Sequence, residues 1–212
     1  MRLLELFAGT GSVGKVARSL GWDVVSLDMD FRTKPDIVAD ILHWDYKAYI
    51  PGQFDLIWAS PPCTEYSVAK TVGTRDLDKA DSIAKHTLHI IDYLQPKFFI
   101  IENPQTGMLK DRPFMQHLPY RDIDYCKYGM PYRKRTRLWN NIYFWEPQPL
   151  CNYDCQASNG KKHKEIAQRA PKSGDTERSR FSQSQLYRVP SDLINEILQC
   201  LKDEFFAGNS IA

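Results

Sequence analysis

Short apolar runs alternate with segments of helical spacing over the first hundred residues of the chain. The pattern predicts two helices, at Val13–Leu20 and Ile83–Leu94, and five strands, at Leu3–Phe7, Asp23–Asp28, Ile37–Ala39, Phe54–Ala59 and Phe98–Glu102. Strands that read as buried runs and alternate with helices are typical of a parallel sheet covered by helices on both faces. We therefore expect a doubly wound α/β domain.

The second half of the chain is less regular. Tyr120–Tyr125 and Thr136–Trp145 can add a hairpin at the edge of the sheet, whereas the stretch from Pro147 to Ser184 is polar and poorly periodic. Pro190–Phe205 returns to helical spacing, with apolar side chains on one side. A long C-terminal helix is expected there.

Length and composition indicate one α/β domain with a smaller attached region, since 212 residues hardly suffice for two large domains. No apolar run approaches the ~20 residues needed to span a bilayer, and the start of the chain lacks the cleavage region of a signal peptide. We expect an intracellular protein with no membrane partner. Its five cysteines should then be thiols rather than disulfides.

Charge is distributed unevenly along the chain. Residues 126–180 carry 12 basic and 5 acidic side chains, whereas residues 1–125 carry 14 and 17. Concentrated positive charge is expected where a polyanion docks. A solvated basic loop gives the same pattern, so charge alone favours neither interpretation.

A glycine-rich turn joins the first predicted strand to the first helix, in the run Phe7-Ala-Gly-Thr-Gly-Ser-Val-Gly14. Glycines there let a ligand approach the backbone beside the positive end of the helix dipole. Asp28 closes the second strand, where a carboxylate can bind both ribose hydroxyls, and Asp40 follows the third strand, within reach of an adenine edge. The turn also fits a dinucleotide fingerprint, so the glycines do not decide which adenosine cofactor binds.

Two chemically active side chains follow the fourth and fifth predicted strands. Cys63 lies in Ala59-Ser-Pro-Pro-Cys-Thr-Glu-Tyr-Ser67, where two prolines stiffen the turn, and Glu102 ends the apolar run Phe98-Phe-Ile-Ile-Glu-Asn-Pro104. A cysteine at a strand end can be a nucleophile if its thiolate is stabilised, and a carboxylate ending a buried strand is costly unless it is used. A small buried thiol and a satisfied structural acid are the alternatives.

Taken in order, these runs resemble the signature motifs of the cytosine-C5 methyltransferases: a Phe-x-Gly-x-Gly cofactor loop, a Pro-Pro-Cys nucleophile loop and a Glu-Asn strand. Tyr128-Gly-Met-Pro-Tyr-Arg-Lys-Arg-Thr-Arg-Leu-Trp139 is similar to the arginine element of the family. The helix led by Val189-Pro190 looks like its last motif, which packs against the cofactor site. The resemblance covers nearly all of residues 1–140 and again about 186–205.

The resemblance implies the Rossmann-like fold of class I methyltransferases, S-adenosylmethionine as cofactor, and methyl transfer to C5 of a cytosine flipped out of DNA. It assigns the catalytic roles to Cys63, which adds to C6, to Glu102, which binds N3 and the amine, and to Arg135 and Arg137. Cofactor contacts are expected from Phe7, Ala8, Gly9, Thr10, Gly11, Asp28, Met29, Asp40, Ile41 and Pro61. Contacts to the base or the DNA are expected from Pro62, Ser67, Asn103, Arg133, Lys161, Lys162 and Lys164.

The chain departs from the family pattern in three places. Pro104 stands where many relatives have valine, as in small phage-type members. The arginine element has no glutamine and one extra residue, so its register stays open; alignment backward from Leu138-Trp139 puts Arg135 and Arg137 on the family arginines and Arg133 on the glutamine. Leu186-Tyr-Arg188 replaces the glycine–asparagine pair before the last helix.

Three regions follow from the resemblance: a catalytic domain over 1–139, a reduced target-recognition region over 140–185, and a returning C-terminal helix over 186–212. Because the middle region is short, we expect relaxed sequence specificity, with phosphate contacts from the lysines above and from Arg169, Lys172, Arg178 and Arg180.

Cys151, Cys155 and His163 are three possible zinc ligands, but no fourth has suitable spacing. We expect no metal, and a monomer.

Three rival functions remain at this point. One branch of the family modifies tRNA with the same chemistry, so RNA is an alternative substrate. A catalytically silent nucleic-acid-binding relative is a second, although Pro-Pro-Cys and Glu-Asn are intact. The third is an amino-methyltransferase, but these hold the amine with a Pro-Pro-Tyr type of loop and need no cysteine.

Overall fold

A computed structural model describes residues 1–167 and 181–209, with the side chains of 208 and 209 excepted. Its strands are β1 (Arg2–Leu6), β2 (Asp23–Asp28), β3 (Ile37–Val38), β4 (Leu56–Ala59), β5 (Phe98–Pro104), β6 (Tyr120–Asp124) and β7 (Arg135–Asn140). Its α-helices are α1 (Ser12–Ser19), α2 (Leu77–Leu94), α3 (Gln183–Tyr187) and α4 (Ser191–Asn209).

The strands form one sheet in the order β3-β2-β1-β4-β5-β7-β6. The first five in sequence pair in parallel, and β7 is antiparallel to both β5 and β6. The order reverses between β1 and β4, which is where ligands bind in open α/β sheets. The doubly wound sheet predicted from the sequence is confirmed.

Two buried cores lie on opposite faces of the sheet. One contains residues of α1 and α4 and the strand residues on the same face of the sheet as Leu3 and Leu138. The other contains residues of α2 and the strand residues on the same face as Leu4 and Trp139. Alternate side chains of a strand point to opposite faces, so each buried strand serves both cores and reads as a continuous apolar run.

Two element boundaries differ from the sequence prediction by five residues or more. Helix α2 begins at Leu77, six residues before the expected start, because the Asp76 carboxylate caps it by accepting from the backbone N–H of Lys79. The predicted hairpin exists, but β7 lies between β5 and β6, so β6 forms the edge of the sheet. Strand β7 also ends at Asn140, whose side chain accepts from the N–H of Ile142 in a turn.

Among the residues that the structure describes, no helix is both long enough and apolar enough to cross a membrane.

Candidate active site

The glycine turn after β1 is folded back tightly on itself. Phe7, Gly9 and Gly11 all have positive φ, at 61°, 48° and 64°, and Gly11 donates its N–H to the carbonyl of Ala8 at 2.7 Å. Gly9 donates its N–H to Oδ2 of Asp28 at 2.8 Å, which ties the end of β2 to the turn. The turn therefore lies at the carboxyl edge of the sheet, where Phe7, Gly9 and their neighbours line a cavity.

Gly14 is needed for a different reason. A Cβ on this residue would lie 2.5 Å from Oε2 of Glu5, which accepts the Gly14 N–H at 2.9 Å. Glu5 is almost wholly buried, and burial raises its pKa to about 7 despite the hydrogen bonds from Gly14 and Val13 that lower it. A carboxyl group that titrates near neutrality thus lies directly beneath the glycine turn.

A cavity of about 370 Å³ extends from this turn to the ends of β4 and β5. Nine of the ten predicted cofactor residues line it; Gly11, at the start of α1, is the exception. Cys63 and Glu102 line the same cavity. The structure therefore brings together the predicted cofactor turn, nucleophile and catalytic acid.

The chain before the last helix forms another wall of the cavity. Tyr187 and Val189 line it, and the Val189 N–H donates to the Ser12 hydroxyl at 3.2 Å. The Lys202 ammonium group on α4 donates to the carbonyl of Leu20 at 2.7 Å. The segment that replaces the family's glycine–asparagine pair thus reaches the predicted cofactor site.

Hydrogen bonds from neighbouring elements hold the loop that carries Cys63. The Asn103 side chain, buried after Glu102 on β5, donates to the carbonyl of Pro61 at 2.9 Å. Tyr66 is buried and donates its hydroxyl to Asp81 on α2 at 2.9 Å; Asp81 is also paired with Arg112. Asn103 therefore connects the two strand ends that present the thiol and the carboxylate.

Glu102 is only 7% exposed and has two polar neighbours. The buried Tyr125 hydroxyl donates to Glu102 Oε1 at 2.8 Å, and the Lys134 ammonium nitrogen lies 3.8 Å from the same oxygen. Burial raises the pKa of the Cys63 thiol, the Glu102 carboxylate raises it further, and the Lys134 ammonium lowers it. A thiol, a carboxylate and an ammonium group therefore act on one another here.

Arg135 and Arg137 are not brought to this cavity. In the register of β5 with β7, Glu102 opposes Leu138, so Glu102 shares its face of the sheet with the even-numbered residues of β7. The guanidinium group of Arg135 instead binds Asp124 through two hydrogen bonds, and that of Arg137 binds Asp122 likewise. The cation beside Glu102 is Lys134, one residue before the predicted pair.

The remaining predicted substrate residues lie in several places. Pro62 and Asn103 line the cavity, whereas the Ser67 hydroxyl accepts the N–H of Ala69 within its own loop. Arg133 lies over the ring of Tyr153, with its guanidinium carbon 5.4 Å from the ring centroid. Three lysines are exposed on a hairpin closed by a bridge between Ser158 and His163: Lys161, Lys162 and Lys164. The predicted phosphate contacts Arg169, Lys172, Arg178 and Arg180 lie outside the described residues.

Sequence reasoning missed Glu5, Tyr125 and Lys134. The signal for Glu5 was present, since a carboxylate inside the apolar run of β1 is as costly as the one that drew attention to Glu102. Tyr125 and Lys134 are identified only by the pairing of β5, β6 and β7, which the sequence does not fix.

Comparison with known proteins identifies the family. Residues 1–113 match the model of the C-5 cytosine-specific DNA methylases. The chain is 37% identical to a probable DNA (cytosine-5)-methyltransferase of frog virus 3 (isolate Goorha), over 93% of this chain and 99% of the viral protein. It is 31% identical over 118 residues to the type II methyltransferase M.HpaII of Haemophilus parainfluenzae, which covers 47% of this chain and 30% of that protein. The chain belongs to the C-5 cytosine-specific DNA methylase family.

Solved structures show the same fold. The methyltransferase Dnmt2 of S. pombe superimposes with a TM-score of 0.52 at 16% identity, covering 72% of this chain and 54% of that one. The Entamoeba histolytica methyltransferase EhMeth gives a TM-score of 0.53 at 17% identity, covering 71% and 56%. The chain thus spans about half the length of these two structures, although it spans nearly all of the viral relative.

Proposed function

We propose that this protein transfers a methyl group from S-adenosylmethionine to C5 of cytosine in DNA, with Cys63 as the nucleophile. The single observation that carries the proposal is that Cys63 and Glu102 line one cavity with the glycine turn. Membership of the family and the relationship to the frog virus 3 protein support DNA as the substrate.

The residues around the glycine turn fit S-adenosylmethionine. The cavity volume lies within the range of ~300–1,000 Å³ that is typical of sites for small ligands. Asp28, at the end of β2, would bind the ribose hydroxyls, Asp40 and Ile41 would hold the adenine, and the backbone of Phe7–Thr10 would hold the amino-acid portion. When bound, this cofactor supplies an electrophilic methyl group.

Cys63 and Glu102 supply the activation of cytosine. The Cys63 thiolate adds to C6, the π electrons of the C5–C6 bond shift to C4–C5, and those of the C4–N3 bond move onto N3. The resulting enamine has a nucleophilic C5. Glu102, placed against N3 and the exocyclic amine, offsets the charge that develops there as the adduct forms. After C5 has gained its methyl group, loss of the C5 proton to a base returns the electrons to the ring and expels the thiolate.

Lys134 is the cation beside Glu102, where the resemblance led us to expect Arg135 or Arg137. Its ammonium group lies 3.8 Å from Glu102 and lowers the pKa of Cys63. It therefore opposes burial and the Glu102 charge, both of which hold the sulfur in its protonated form. Lys134 is thus a positioning residue that keeps thiolate available beside an acidic partner.

The region over 140–185 is proposed to hold DNA rather than to read a long sequence. Its exposed lysines at 161, 162 and 164 are available to phosphates, which supply affinity without sequence information. C6 of cytosine is inaccessible in a stacked duplex, so the target base has to be flipped into the cavity. Such an enzyme acts as a monomer wherever its DNA lies inside the cell.

The test uses the full chain with tritiated S-adenosylmethionine and matched cytosine-containing DNA and RNA. Label in DNA at C5, absent with Cys63→Ser, supports the proposal, and label in RNA alone overturns the substrate assignment. DNA containing 5-fluorocytosine should trap a covalent complex through Cys63, because fluorine cannot leave as the proton does. Cofactor and DNA binding without label or trapping would instead identify a silent relative. Activity that survives Cys63→Ser would favour amino-methyl transfer.

A further inference from the structure

Four potential metal ligands meet just beyond the carboxyl end of β6, outside the cavity that Cys63 and Glu102 line. The Sγ atoms of Cys126, Cys151 and Cys155 and a ring nitrogen of His163 all lie within 4.8 Å of one another. Sγ of Cys151 and Sγ of Cys155 each lie 3.4 Å from Nε2 of His163. All three cysteines are free thiols in the structure.

These distances match a tetrahedral zinc site. With Zn–S bonds of ~2.3 Å and Zn–N bonds of ~2.0 Å, tetrahedral angles separate a sulfur from the nitrogen by ~3.5 Å. Three thiols and one imidazole are one of the standard ligand sets for structural zinc. A disulfide would need a sulfur–sulfur distance of ~2.05 Å and would leave the histidine without a role.

The fold brings each ligand to the cluster by a separate contact. Cys126 is buried in the turn that follows β6, and the backbone N–H of Cys151 donates to Asp124 at the end of the same strand. The backbone N–H of Ser158 donates to the carbonyl of Cys155, and the bridge between Ser158 and His163 then returns the imidazole to the two thiols. Cys126 is thus the fourth ligand, which could not be identified from its distance in sequence to the other three.

We propose that Cys126, Cys151, Cys155 and His163 bind one structural zinc ion. Zinc takes three thiolates and the neutral imidazole, so loading displaces up to three protons from the thiols. Four protein ligands leave no open coordination position, which is the condition for a structural rather than a catalytic site. The sequence expectation of no metal is thereby replaced.

The ion would fasten the predicted recognition region to the catalytic sheet. Lys161 and Lys162 lie between Cys155 and His163, on the hairpin that the ion closes. Asp124 accepts from the Cys151 N–H and also binds Arg135 on β7, so the site is connected to the sheet through one buried carboxylate. Loss of the ion should therefore release the lysine hairpin before it disturbs the cofactor cavity.

Metal content tests the proposal without reference to activity. The full chain, untagged and purified from zinc-supplemented medium, should carry one zinc per chain by elemental mass spectrometry. Cys155→Ser should lose the metal, whereas Cys200→Ser, which changes a half-buried cysteine outside the cluster, should keep it. Equal zinc in all three proteins, or none in the parent, would overturn the site.

A second measurement covers the case in which Cys155→Ser does not fold. The parent chain, stripped with a chelator and reloaded with Co²⁺, should show the visible d–d bands of tetrahedral cobalt and thiolate-to-metal absorption in the near ultraviolet. Added zinc should remove both signals. Absence of these bands, or a disulfide between Cys151 and Cys155 in peptides mapped from the fresh protein, would contradict the proposal.

Discussion

The ammonium nitrogen of Lys134 lies 3.8 Å from Oε1 of Glu102, and both groups act on the thiol of Cys63 with opposite signs. Lys134 lowers the pKa of Cys63, whereas Glu102 raises it. Lys134 therefore favours the thiolate of Cys63, whereas Glu102 favours the protonated thiol.

Charge removal at these two residues should shift thiol reactivity in opposite directions. With Lys134→Met, the Cys63 pKa rises and alkylation by iodoacetamide at pH 7 slows; with Glu102→Gln, the pKa falls and alkylation speeds up. Peptide mass spectrometry of the Cys63 peptide across a pH series measures both. Methyl transfer should nevertheless fall in both variants, by about 10²-fold or more for Glu102→Gln because the carboxyl group that faces N3 is lost. Equal alkylation in parent and variants would exclude this coupling.

Tyr125→Phe removes the hydroxyl that donates to Glu102 at 2.8 Å. Loss of a buried hydrogen bond to a carboxylate should lower the free energy of unfolding by about 1.5–3 kcal/mol. We also expect turnover to slow roughly 10-fold with little change in KM for DNA, since the carboxyl group loses its orientation. Tyr128→Phe is the matched control, because Tyr128 is a buried tyrosine bonded to Gln148 and Glu196 outside the cavity. If Tyr125→Phe behaved like this control, Tyr125 would be only a stabilising residue.

Arg135→Gln and Arg137→Gln separate a structural from a catalytic role for the two arginines. Asp124 is 1% exposed, so removing its Arg135 partner should cost about 3 kcal/mol of unfolding free energy. Asp122 is more open, and Arg137→Gln should cost about 1 kcal/mol. Urea denaturation and the turnover rate at low temperature measure the two effects. A loss of turnover by about 10²-fold with unchanged stability would restore the catalytic role that the sequence predicted.

Glu5 should make stability depend on pH. Burial raises its pKa from 4.5 to about 7, so the folded state holds a proton that the unfolded state releases at lower pH. The loss of unfolding free energy caused by Glu5 is therefore absent below pH 4.5 and grows as pH rises from 4.5 to 7. It reaches about 3 kcal/mol above pH 7. Glu5→Gln keeps an acceptor for the Gly14 N–H and should gain stability relative to the parent at pH 8 but not at pH 4. If the difference in unfolding free energy between Glu5→Gln and the parent were the same at pH 4 and pH 8, the raised pKa of Glu5 would be contradicted.

The fold and the central pair of the site could be predicted because both follow from local patterns. Apolar runs alternating with helices specify a parallel sheet, and carboxyl ends of neighbouring parallel strands meet at one edge. Cys63 follows β4 and Glu102 lies near the carboxyl end of β5. These strands pair directly, so the two side chains meet because the strands are neighbours.

The other parts of the site depend on long-range register. Lys134 and Arg135 differ by one position, and only the pairing of Glu102 with Leu138 decides which of them shares the face of the carboxylate. Cys126 is 25 residues before Cys151, with β7 between them, and the hydrogen bond from the Cys151 N–H to Asp124 at the end of β6 brings them together. Motif spacing does not encode either relationship.

Tyr187 and Val189 face the same cavity as the turn at Phe7–Thr10, so its walls come from distant parts of the sequence. A fragment that stops before Gln183 would keep the nucleophile and the glycine turn but leave the cofactor cavity open on one side. Supplying the missing peptide separately should restore the wall through the packing of α4 on α1. Dividing the chain before α3 should thus give two parts whose reassociation restores cofactor binding.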